Sequence, residues 1–249
     1  MSDKFLKYYF KIPFLIGVTS YIRFLYFFYF KKKFKTLYPI NSSDHGMAKK
    51  NDKTALMANT EHLGIVNLNF LKMISQKFNG ARSSRLIYPL KSIDYLKFEK
   101  QKILSIGPRL ESEIFNFIKH GFLLKNIKSI DLQSYSPIIN LGDMLKLEYE
   151  DDFFDIVFCG WVLTYTNSIQ KAVDEMVRVT KNNGYISIGI SHKPDVKLTD
   201  NSVANSNDLL NYFNKNIKRV IFNHHAGDVD DYYNKMKNFR CVLVIQVKK

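Results

Sequence analysis

From residue 101 onward, short apolar runs alternate with amphipathic ones, and the densest case is residues 141–190, LGDMLKLEYEDDFFDIVFCGWVLTYTNSIQKAVDEMVRVTKNNGYISIGI. A chain that alternates strand and helix periods in this way folds as a parallel sheet with crossover helices. Within the stretch, residues 154–158 read as a strand and 168–180 as an amphipathic helix. An Asn-Asn-Gly stop then precedes a strand over 185–190. Upstream, 102–106 is a strand, 111–119 a helix ended by Gly121, 127–130 a strand closing on Asp131, and 137–141 a short strand. Downstream, 207–214 is helical and 218–222 and 241–247 are closing strands. The expectation is an α/β protein: a seven-stranded, mostly parallel sheet with an antiparallel last strand and helices on both faces.

A chain of 249 residues is long enough for one substantial core plus a small appendage. Its net charge of +14 is unevenly spread. Residues 1–50 hold ten Lys or Arg against Asp3 and Asp44, whereas the remainder has a surplus of only six. Without an RNA-binding motif or an Arg-rich stripe, that balance argues against a nucleic-acid partner. Cys159 and Cys241 fall in separate strands. They form neither a disulfide framework nor a zinc spacing, and they suit a reducing, cytoplasmic compartment.

Residues 5–35 are aromatic and basic, and 12–30 are nearly all apolar except Arg23. Arg23 near the middle and lysines on both flanks disfavour a simple transmembrane span. Three readings stay open: a helix in the interface of an anionic membrane, peripheral on its inner face; a helix packed on the catalytic domain as a lid or dimer contact; and a membrane anchor. Residues 36–60 read as linker, and 61–79 have helical spacing through Leu63, Val66, Phe70 and Ile74. Residues 80–100 are ambiguous. The domain division expected is an N-terminal helical extension over 1–97 and a catalytic domain over 98–249.

The Gly142-Asp143 pair, the Phe-Asp-Ile-Val strand running into Gly160-Trp161, and the helix and strand beyond them resemble the second half of a class I S-adenosylmethionine-dependent methyltransferase with a type 11-like domain. The resemblance covers about residues 98–190, extends weakly to 249 and does not reach 1–97. It implies a Rossmann-like sheet and S-adenosylmethionine as cofactor, bound beyond the carboxyl ends of the strands. The turn after the first strand, Ser105-Ile-Gly-Pro-Arg-Leu-Glu111, departs from the family's glycine-rich pattern. Only Gly107 is kept, Ser105 stands where an acid is expected, and Arg109 and Glu111 replace later glycines.

On this resemblance Arg109 pairs with the cofactor carboxylate. Glu111 either meets the cofactor ammonium or caps the first helical turn. Asp131 accepts from the ribose hydroxyls, Asp143 accepts from the adenine amino group, and Met144 lines the adenine pocket. Gly160 and Trp161 border the methionine portion, and Tyr165 faces the acceptor.

A general base is needed only for a hydroxyl or protonated amine acceptor. His192 is the first candidate and His224-His225 the second. No metal is implied. The expected function is methyl transfer to a small-molecule, saccharide or lipid-type acceptor. The alternative is a non-catalytic member of the fold that has lost the cofactor, as the missing glycines suggest.

Overall fold

The computed structural model describes residues 2–37, 81–163, 166, 168–192, 206–224 and 239–249. The chain begins with helices α1 (Asp3–Tyr9) and α2 (Pro13–Leu25), the latter continued by a π-helical turn over Tyr26–Phe30. A two-residue strand β1 (Lys35–Thr36) follows, then helix α3 (Ala81–Lys91) and strand β2 (Ile103–Ile106). Next come α4 (Glu111–Lys119), β3 (Ile127–Asp131), β4 (Gln133–Ser134) and β5 (Asn140–Leu141). The chain closes through β6 (Phe154–Gly160), α5 (Ile169–Val179), β7 (Thr180–His192), α6 (Ser206–Phe213), β8 (Ile217–His224) and β9 (Phe239–Val247).

Seven strands form one sheet in the order β5-β3-β2-β6-β7-β9-β8. The first five are parallel, and β9 runs antiparallel to both of its neighbours. The expected sheet, including its antiparallel final strand, is therefore the observed one. The chain reverses direction across the sheet between β2 and β6. That switch point is where open α/β sheets bind ligands.

Period-two alternation along the strands feeds a different core on each face. Leu104, Ile106, Ile186, Ile188, Leu243 and Ile245 pack with α5 and α6. Ile103, Phe158, Tyr185, Val242 and Val244 pack on the other side with α3 and α4. α5 fits its face through Ile169, Ala172, Val173, Met176 and Val177, a stripe at helical spacing. α4 carries Glu111 and Glu113 in its first turn and Lys119 in its last, matching the helix dipole. It ends at Gly121, whose φ of 112° suits a glycine beyond the helix end.

α3 occupies the region left ambiguous by sequence. It buries Leu86, Ile87 and Leu90, and the Ser187 hydroxyl on β7 donates to the Leu86 carbonyl at 2.9 Å. Asn116 on α4 donates to the hydroxyls of Ser83 and Ser84 on α3 at 2.9 and 3.0 Å. One core cluster runs across the 97/98 boundary, joining Phe10, Ile16 and Leu86 to Ile103, Phe115 and Phe158.

The N-terminal helices pack on this face. The Phe10 ring stacks on Phe115 at 4.3 Å, and Ile16, Ser20 and Phe24 form the buried stripe of α2. No single helix among the described residues is long and apolar enough to cross a membrane. Most of the linker and all of the helix expected over 61–79 lie outside the described residues. Thr36 and Leu37 are described, and Thr36 belongs to β1, which pairs antiparallel with β4.

Candidate functional site at the switch point

Three strand ends meet at the switch point. The turn after β2 holds Gly107 at φ 69° and Arg109 at φ 41°, both left-handed. A non-glycine residue reaches that region at a cost of roughly 1 kcal/mol, so the turn keeps a glycine-like path at Arg109 without the glycine. Gly107 N–H donates to the Ile130 carbonyl at 2.8 Å, tying the turn to β3.

Asp131 ends β3. Its Oδ2 accepts from the Arg109 backbone N–H at 3.1 Å, and its Oδ1 from the Gln133 N–H at 3.2 Å. Burial raises its pKa, while the backbone hydrogen bonds from Gln133, Arg109 and Leu132 and the Arg109 charge pull it down. An ionised carboxylate offers about four acceptor positions, so about one remains for a ligand. Gly142 N–H donates to the Asp131 carbonyl at 3.0 Å and sets the next acid alongside. Asp143 is nearly buried, with Oδ1 accepting from Leu145 N–H at 2.9 Å. Met144 packs against the α5–α6 side of the core.

The loop that carries Asp143 is held from below. Arg178 on α5 donates to Leu147 and Tyr149 carbonyls at 2.9 and 2.8 Å, to Asp151 at 2.6 Å and to both oxygens of Glu175. Glu175 in turn accepts from Leu147 N–H at 2.7 Å.

Across the switch point, β6 ends at Gly160, in register with Gly189 of β7. Trp161 has φ 58°, and its ring seats on Gly189, where a Cβ would lie 2.9 Å from the ring atoms. The Trp161 ring is thus a buried part of the α3–α4 core, because only a glycine on β7 leaves room for it. Val162 packs on Gly107: a Cβ there would lie 2.3 Å from Cγ1. Ser105 is buried within β2, paired in register with Ser129 and Phe158.

Glu111 serves the N-terminal helix. Its side chain is 0% exposed and receives Arg23 of α2 in a bidentate pair, Nε to Oε2 at 2.5 Å and Nη2 to Oε1 at 3.0 Å. The Ser136 hydroxyl donates to Oε1 at 2.5 Å, and Glu111 N–H donates to the buried Tyr135 hydroxyl at 3.3 Å. Phe24 meets the Tyr135 ring edge-on at 5.0 Å. The β1–β4 pair and a Leu37 N–H to Leu132 carbonyl bond of 2.8 Å fasten the same segment beside Asp131.

Sequence reading valued Arg23 only as an obstacle to a membrane span. Its partner lies 88 positions away, and no local pattern marks such a pair. His192 ends β7 in register with Phe239. Tyr165 and His225 lie outside the described residues, and His224 ends β8.

Comparison with known proteins identifies the fold. A model for a methyltransferase domain matches residues 124–188, from just before β3 into β7. The chain has the class I S-adenosylmethionine-dependent methyltransferase fold. Among solved structures with this methyltransferase fold is an N-methyltransferase from Haemonchus contortus, solved with phosphomonomethylethanolamine and S-adenosylhomocysteine. It has 11% identity and a TM-score of 0.52, covering 67% of this chain and 53% of that one. Another is the CurJ carbon methyltransferase, with 11% identity and a TM-score of 0.51, covering 68% and 54%. The methyltransferase NodS from Bradyrhizobium japonicum has 16% identity and a TM-score of 0.48, covering 68% and 87%. No curated protein matches at the level of sequence.

The residues present fit the adenosine half of S-adenosylmethionine by acceptor chemistry: Asp131 at the end of β3 keeps about one acceptor position, and Asp143 follows β5, the strand paired with β3.

Proposed function

We propose that the chain is a methyltransferase that uses S-adenosylmethionine and acts on a small-molecule, saccharide or lipid-type acceptor. One observation carries the reading. Asp131 ends β3, bonded to a turn that keeps left-handed backbone at Gly107 and Arg109, and Asp143 follows the neighbouring β5, whose Leu141 is in register with Asp131.

In this reading Asp131 holds the ribose hydroxyls and Asp143 the adenine amino group. The Arg109 guanidinium is the donor proposed for the amino-acid carboxylate. When bound, the sulfonium supplies an activated methyl group. What this chain must then do is align the acceptor and exclude water. The roof formed by α2 over the Leu110 and Tyr135 side of the site suits that exclusion. For a hydroxyl or protonated amine acceptor, His192 is the base proposed, with Tyr165 facing the acceptor. The two buried cysteines, Cys159 and Cys241, support a cytoplasmic location.

The second reading, a non-catalytic member of the fold, is favoured by Glu111. It occupies a glycine position and is consumed by Arg23.

Calorimetric titration with S-adenosylmethionine and S-adenosylhomocysteine, on the parent and on Asp131→Ala, separates the two. Micromolar binding that weakens at least about tenfold in a folded variant, as the loss of one charged acceptor implies, supports the methyltransferase. A folded parent that binds neither compound supports the non-catalytic reading.

A further inference from the structure

Helix α2 and its π-helical continuation are apolar on two opposite faces. Ile16, Ser20 and Phe24 are buried against the core. On the other side, Phe14, Ile22 (59% exposed), Tyr26 and Tyr29 repeat at intervals of three, four or eight residues and face outward, with half-exposed Val18 between them. Phe30, at the end of this stripe, is 80% exposed. A helix that is apolar all round is ordinarily buried on every side. Contiguous exposed apolar surface rimmed by polar groups marks a contact site.

The rim here has one sign of charge. Lys31, Lys32 and Lys33 follow the stripe directly and are exposed, with Lys31 Nζ 5.6 Å from the Tyr26 ring and Lys33 Nζ 5.7 Å from the Phe27 ring. No acidic residue occurs between Asp3 and Asp44. The one charge on the helix itself, Arg23, is turned away and neutralised by Glu111.

We propose that this outward stripe of α2 is a docking surface for an anionic lipid bilayer. Phe14, Ile22, Tyr26 and Phe30 enter the headgroup boundary, and Lys31–Lys33 meet the lipid phosphates. Tyrosine and phenylalanine suit that depth, and the lysine cluster supplies the electrostatic half of a two-part anchor. The helix lies in the interface plane because its other face is held by the protein. The proposal is independent of the methyl-transfer reading, since vesicle binding and cofactor binding are measured separately.

The test is co-sedimentation of the full chain with vesicles of phosphatidylcholine alone or mixed with phosphatidylglycerol, at physiological salt. The proteins are the parent, Ile22→Ser/Tyr26→Ser/Phe30→Ser, Lys31→Glu/Lys32→Glu, and Val220→Ser as an exposed apolar control on β8. The expected result is binding to the mixed vesicles that falls roughly tenfold or more in either multiple variant and is unchanged in the control, with all proteins folded by circular dichroism. Three results would overturn the proposal: no binding by the folded parent, equal binding to neutral and anionic vesicles, or binding that survives both multiple variants. So would a dimer, seen by sedimentation velocity, that the apolar variant makes monomeric, because the face would then belong to a second copy.

Discussion

The Arg23–Glu111 pair allows a quantitative test of how the N-terminal helix is attached. Glu111 is fully buried, while Arg23 keeps 35% of its side chain in contact with solvent. The two single substitutions therefore differ. Arg23→Met strands a buried carboxylate to which, among the described residues, only Ser136 still donates from a side chain. Removing one partner of a fully buried pair costs about 3–5 kcal/mol, and partial water access at Arg23 reduces this to about 2–3 kcal/mol. At roughly 2–4 °C per kcal/mol for a chain of this size, the melting temperature should fall by ~4–12 °C. Glu111→Gln leaves an arginine that can turn to water, so its loss should be about 1 kcal/mol. The double variant has no stranded charge and should melt close to Glu111→Gln. That gives a coupling of about 2–3 kcal/mol in a double-mutant cycle. The assay is urea unfolding followed by circular dichroism and tryptophan fluorescence. Coupling under about 0.5 kcal/mol, or Arg23→Met no more costly than Glu111→Gln, would refute the reasoning.

Gly107→Ala should destabilise by about 2–4 kcal/mol, since it combines a left-handed φ with a collision against Val162. Adding Val162→Ala should restore part of that loss, and a thermal melt shows whether it does. His120 has its pKa lowered to about 4, first by burial and then by Lys91 and Lys119. Unfolding below its ordinary value therefore takes up a proton. Stability should fall as pH drops from 6.5 towards 4, by about 2 kcal/mol after allowing for partial exposure. His120→Gln should flatten the profile over that window, and an unchanged pH slope would count against it. Arg178→Ala should release the loop that carries Asp143, seen as faster hydrogen exchange over residues 143–152 with β6 still protected.

Much of the sheet was legible because its signals are local. The helix over 111–119 was bounded by Gly121 behind and acids in front, and the apolar runs at 127–130 and 241–247 each proved to lie within a strand. Asn182-Asn183-Gly184 read as a stop. In the structure β7 runs through it, with Asn183 left-handed at φ 64° and its carbonyl accepting from Gln246 at 2.9 Å, so partner contacts outweigh the turn former. α3 was missed because Ser83, Ser84 and an internal Pro89 hide it. The spacing of Leu86, Ile87 and Leu90 was the signal that could have found it. In the site, Asp131 and Asp143 were readable as strand-end acids. The engagement of Glu111 by Arg23, and the seating of Trp161 on Gly189, depend on partners distant in sequence.

The placement of β9 sets an order of assembly during synthesis. It is the last of the seven strands to be made, yet it lies between β7 and β8. Until residue 247 has left the ribosome, β7 presents an unpaired edge that includes Ile186, Ile188 and Ile190, and β8 has no strand partner among the described residues. An unpaired apolar edge of this kind templates association with other chains. The nascent chain is therefore most vulnerable just before β9 emerges, and a stop codon within residues 239–247 would leave an aggregation-prone chain rather than a slightly shortened fold.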